Sequence, residues 1–176
     1  SQWSGPGTYL RQKIDQYQLD KIVRHGRIWR LTYDGMGRRT DQPRMNGETA
    51  AQLVAHLSDP NGWWRDTAQQ LLVLKQDKSV VPALVQVLRA SPPSRPAAAS
   101  ASQGDGEMLA RFHALWTLEG LGALDAATVR AQMKDANPRM RVQAIRASET
   151  LYKAGDKSFE TDYKAAMKDA DADVAT

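Results

Sequence analysis

The sequence predicts an all-α chain in which pairs of helices repeat. Three observations predict it. The stretches DPNGWWRDTAQ (59–69) and DANPRMRVQAI (135–145) share an Asp, an Asn two residues on, an Arg at offset six and an Ala three further. A third Arg/Ala pair, Arg111 and Ala114, has the same internal spacing. From Gly47 onward the apolar residues recur at helical spacing almost without interruption.

The three Arg positions lie 46 and 30 residues apart, and a further opening at Asp169 begins 34 residues after Asp135. A period of about 40 built from helix pairs is the signature of HEAT or armadillo solenoids. The expected architecture is therefore a right-handed HEAT/armadillo-like α-solenoid of about three and a half helix pairs. A short helix and a lone β-strand precede it. In each pair the first helix should end at the Asp, and Asn or Pro should open the second. The Asp supplies acceptors at the turn, the Arg bridges to the neighbouring repeat, and the small Ala lets helices approach closely.

Residues 7–22 carry Tyr9, Leu10, Ile14, Tyr17 and Leu19 at helical spacing. RIWRLTY (27–33) alternates, with Trp29, Leu31 and Tyr33 on one face and Ile28, Arg30 and Thr32 on the other, so a strand is predicted there. It stops at the turn signal DGMG, and a polar linker runs to Asn46. Seven helical segments follow. Their expected core includes Trp64, Ala68, Leu71, Leu84, Leu88, Leu115, Leu118, Ala144, Ile145 and Leu151. Residues 91–106 (SPPSRPAAASASQGDG) read as a disordered insertion. The half-repeat at 157–176 is expected to expose Phe159, Tyr163 and Met167, since a terminal repeat without a cap leaves its apolar side open. The domain division is 1–46, tail and linker, then 47–176, the solenoid.

The chain of 176 residues has 41% hydrophobic and 25% charged residues, ordinary for a globular protein. It has no cysteine, so disulfides, thiolate metal sites and covalent c-type haem within these residues are excluded. No apolar run reaches the roughly 18 residues of a membrane span. A signal peptide is not expected in SQWSGPGTYL, which lacks basic and apolar regions. The net charge is +4. The excess sits in residues 21–45, with one Lys and six Arg against two Asp. This is a patch that could attract nucleic acid, or a solvated strand and loop.

Candidate chemistry is sparse. His25, His56 and His113 stand singly, without a second ligand at metal spacing. Glu107, Glu119 and Glu149 are expected on different helices, and nothing in the sequence marks them as an acid/base pair. GMGRR (35–39) reads as a turn rather than a phosphate cradle. Of Trp63 and Trp64, one is expected in the core and the other in an inter-repeat groove. No catalytic, cofactor-binding or metal-binding residue is assigned. The interaction candidates are Trp29, Arg30, Trp63, Phe159 and Tyr163.

The order HGRIWRLTYDG, LVAHLSDPNGWWRDTAQQLL, RFHALWTLEGLG, DANPRMRVQAIRASE resembles bacterial membrane-bound dehydrogenase-type proteins. These join a glucose/sorbosone-dehydrogenase-like β-propeller to HEAT repeats and a c-type haem domain. The resemblance implies that the strand at 27–33 closes a propeller. It also implies that pyrroloquinoline quinone and haem belong elsewhere in a periplasmic or secreted parent, none being held by this chain. The expected partners are other domains of that parent and, through exposed ends, a second copy. Nucleic acid, as in a HEAT-type DNA glycosylase, and the chemistry of a small HEAT-type lyase are the alternatives.

Overall fold

The computed structural model describes residues 5–21, 33–35, 42–90 and 101–175, with residues 101–105 described by backbone alone. Among the described residues every regular element is helical and no strand occurs. The predicted strand, with Trp29 and Arg30, lies outside them except for Tyr33, which is not in a strand. The chain divides into two compact units, Ser1–Gln42 and Pro43–Thr176.

In the first unit, helix α1 spans Tyr9–Tyr17. The Thr8 hydroxyl accepts a hydrogen bond from the Arg11 amide at 3.2 Å, satisfying one of the first-turn donors. Gln18 then ends the helix in the left-handed region, at φ 53°. Tyr9, Leu10, Tyr17 and Leu19 all remain exposed, and no residue of α1 is buried.

The second unit holds α2 (Ala50–His56), α3 (Gly62–Lys75), α4 (Val81–Arg89), α5 (Ala101–Gly120), α6 (Ala126–Met133), α7 (Pro138–Lys153), α8 (Phe159–Ala166) and α9 (Ala172–Ala175). Helix α2 packs on α3, α4 on α5 and α6 on α7. The longer helices also meet in succession, α3 on α5, α5 on α7 and α7 on α9. Leu53, Leu57, Leu72, Leu84, Leu88, Leu115, Leu118, Val129 and Met140 form the continuous core of these contacts. Ala68, Ala114 and Ala144, each three residues after its Arg, are fully buried. A bare methyl is what allows the long helices to approach there. Gly120 does the same at the end of α5, where a Cβ would stand 2.6 Å from Val73 Cγ2. Gly122 then takes φ 59° and closes α5. Its N–H reaches Glu119 O at 2.8 Å, while the Ala123 N–H reaches Leu118 O at 2.9 Å.

Four sequence expectations change. Helix α5 begins at Ala101, so residues 101–106 are helical rather than part of an insertion, and 91–100 lie outside the described residues. The last proline before α5 is Pro96, so no proline between it and Ala101 keeps α5 from extending backward from its buried segment. Met45, assigned to the polar linker, is only 3% exposed and belongs to the core. Leu71, Ile145 and Leu151 are half-buried rather than core. Phe159 is 0% exposed, not open at the end of the unit. The Arg130 guanidinium lies 4.5 Å from its ring centroid and Tyr163 stacks on it at 6.2 Å. Tyr163 is half-buried, its hydroxyl 2.8 Å from Ser148 Oγ, which leaves Met167 exposed at 71%.

Candidate interaction site

The duplicated phrase is a duplicated loop. Asp59 Oδ1 accepts from the Asn61 amide at 2.8 Å, and Asn61 Oδ1 accepts from the Trp63 amide at 3.0 Å. Asp135 and Asn137 do the same for the Asn137 and Arg139 amides, at 2.8 and 2.9 Å. Asp169 and Asp171 repeat it a third time, at 2.9 and 3.0 Å. Short side chains that accept from a backbone N–H two residues on are what Asp and Asn offer. Two in tandem turn the chain and cap the next helix.

The arginine six residues after the first Asp folds back onto the same loop. Arg65 Nη1 donates to the carbonyls of Asp59 and Pro60 at 2.6 and 3.0 Å. Arg141 Nη1 donates to those of Asp135 and Ala136 at 2.9 and 3.3 Å. Two of the arginines also reach the next loop along the chain. Arg141 forks onto Asp169, with Nε to Oδ2 at 2.8 Å and Nη2 to Oδ1 at 2.6 Å. Arg111 donates through Nη2 to Asp135 and, at 2.8 Å, to Gln132 Oε1, with Nε on Leu88 O at 2.9 Å. The Arg141 guanidinium, followed by the Asp171 amide, holds the Asp169 carboxyl below its ordinary range; Asp169 in turn raises Arg141. The predicted Arg bridge is thus present from Arg111 and Arg141. Arg65 has no such acid among the described residues.

A row of side-chain bonds also joins the long helices. The His113 Nδ1–Gln69 Oε1 contact is 2.7 Å, Trp116 Nε1 donates to Gln143 Oε1 at 2.9 Å, and Thr150 donates to Glu119 at 2.7 Å. Among the described residues, His56 and His113 take separate partners. His25 lies outside the described residues, His56 pairs with Glu48 at 2.8 Å, and burial, ahead of any charge, depresses His113. Glu107 and Glu119 share the long helix α5 rather than lying on different helices; Glu107 is exposed, Glu119 accepts from Thr150, and Glu149 of α7 pairs with Lys153 at 2.6 Å. Among the described residues no group of three His, Asp or Glu could hold a metal ion. No helix of the described residues is long and apolar enough to cross a membrane.

Of the interaction candidates among the described residues, Trp63 is the exposed one, at 52%. Trp64 fills the core, its ring edge-on to Trp63 at 5.9 Å and 5.0 Å from His56. Trp63, Thr67 and Leu71 of α3 form one wall of a groove of about 510 Å³, opposite Pro43–Asn46. Leu74, one turn beyond Leu71, is 70% exposed. Phe159 is withdrawn from the surface, and Trp29 and Arg30 lie outside the described residues. Sequence reading missed the Arg111–Gln132–Asp135 bond set, the Arg130–Asp162 pair at 2.8 Å and the Glu48–His56 pair. The only signal for the first was the Asp/Arg offset, which gives the loop but not its partner.

No family model, curated protein or solved structure matches this chain.

Proposed function

We propose that this chain is a non-catalytic scaffold, a right-handed HEAT/armadillo-like solenoid of about three and a half helix pairs that mediates protein–protein contact. The observation that carries this reading is a loop built the same way three times, the second joined to the third by Arg141 and held from α5 by Arg111. Each loop is capped the same way, and Arg111 and Arg141 each bond to the acid of the following loop. Such nearest-neighbour joints are what stacked repeats need, because each unit contacts only the next. The exposed Trp63–Leu74 face of α3 supports an interaction role, since tryptophan is over-represented among residues that dominate binding. From the resemblance in sequence, the parent is a multidomain periplasmic sugar or alcohol dehydrogenase-like protein linked to quinone or haem. Both cofactors reside in its other domains.

The test is to assay the purified chain for sugar and alcohol oxidation with pyrroloquinoline quinone and an artificial electron acceptor. A sizing column with light scattering is run in parallel. The expected result is no turnover, and self-association that weakens on dilution. Quinone-dependent oxidation by the chain alone would defeat the scaffold reading.

A further inference from the structure

Arg65 and Arg141 are each the fourth residue of their helix, α3 and α7, and Arg65 lacks the acid that Arg141 holds. Arg65 is 9% exposed, so nine-tenths of it is removed from solvent. Its Nη1 sits on the carbonyls of Asp59 and Pro60 as Arg141 Nη1 sits on those of Asp135 and Ala136. The two guanidinium groups are therefore anchored in one pose by one loop. The remaining edge, Nε with Nη2, holds the Asp169 carboxylate bidentately in Arg141. In Arg65 the Nε is buried and has no acceptor. Nη2 lies over the first turn of α3, where a Cβ on Gly62 would stand 3.4 Å away.

A buried guanidinium with an unmet donor is costly, and a planar fork is the geometry that matches a carboxylate. We propose that the Nε/Nη2 edge of Arg65 is a carboxylate-binding site, filled by the side chain of an aspartate or glutamate. The acid is borne either by this same chain or by a protein partner. The physical basis is substitution within one molecule: the same side chain, anchored by the same loop, takes an acid at the equivalent position of α7. The field of Arg65 reaches beyond the loop, since it lowers His113 behind burial and against the larger raising effect of Asp66. Binding an anion there cancels that contribution, so His113 titrates at higher pH once the site is filled.

The experiment is ¹H–¹⁵N spectroscopy of the arginine Nε–H groups in the full chain, with the Arg65 signal identified by its loss in Arg65→Lys. If that variant does not fold, the signal is assigned in the unaltered chain by its cross-peaks to Gly62. A through-hydrogen-bond coupling from Arg65 Nε to a carboxylate carbon, like that of Arg141, means that the chain supplies the acid. If no coupling is present, N-acetylaspartate amide is titrated in, with N-acetylasparagine amide as the neutral control. A saturable shift of the Arg65 Nε–H with the first compound alone, accompanied by a rise in the His113 titration midpoint, means that the acid comes from a partner. Absence of both the coupling and the shift, or an equal response to the neutral compound, overturns the site. None of these outcomes depends on oxidase activity, so failure here and failure of the scaffold reading are separable.

Discussion

At the scale of single residues, the work of this sequence is done by short acids and long arginines. Asp169 is the clearest case, because its carboxylate accepts from both Arg141 donors and from the Asp171 amide. Asp169→Asn should therefore lower stability measurably, since the neutral amide can no longer accept from both guanidinium donors. The folded carboxyl is depressed below its unfolded value. Its contribution is thus complete above the unfolded value of about 4 and disappears as pH falls through the lower folded value. Chemical denaturation of both proteins from neutral pH downward should show their difference shrinking only in that acidic window. A difference that is constant with pH would mean that Arg141 does not hold the carboxylate. His113 gives the opposite arrangement of charge. Burial lowers its folded value, so the neutral ring is the folded form. Its contribution is present above the unfolded value of about 6.5 and is lost as pH falls toward the folded value. The imidazole resonance of His113 should titrate below that of a histidine peptide, and His113→Gln should flatten the stability profile just below the unfolded value of about 6.5.

At the scale of elements, close packing sets the tolerances. Gly120→Ala would place a methyl 2.6 Å from Val73 and should cost about 1–3 kcal/mol by overpacking. Val73→Ala should recover much of that loss in the double variant, and thermal denaturation of the set reads the coupling. Truncating Phe159, sealed beneath Arg130 and Tyr163, should cost about 3–5 kcal/mol if α8 is fixed as described. A loss under about 0.5 kcal/mol would instead mean that the ring is exposed. The helices themselves were legible in the sequence, because an apolar stripe and a cap are local. So was the loop, since Asp, Asn and Arg at fixed offsets are its whole mechanism. What covers an exposed-looking residue was not legible. Phe159, Tyr163 and Met167 recur every four residues, but only Met167 stays outside, because Arg130 and Ser148 arrive from elsewhere in the chain. The acid for Arg111 was hidden for the same reason, as it belongs to the following loop, 24 residues away. Of the candidate interaction site, Trp63 was legible from its pairing with Trp64. The groove was not, because Pro43–Asn46 had been read as linker.

At the scale of the whole molecule, the proposed solenoid makes the second unit a stack in which each helix pair is held by its neighbours. Pairs that meet only in succession should loosen only in succession, since stability in such arrays is a sum of unit and interface contributions. Hydrogen exchange separates local opening from global unfolding and reports each helix individually. The measurement is amide exchange of the full chain beside Asp169→Asn, which cuts the joint between the α7 and α9 loops. A stack of helix pairs should show faster exchange in α7, α8 and α9, with α2, α3 and α4 keeping the protection of the unaltered protein. Equal acceleration from α2 through α9 would contradict it, because the joint would then belong to one indivisible core and not to a chain of stacked pairs.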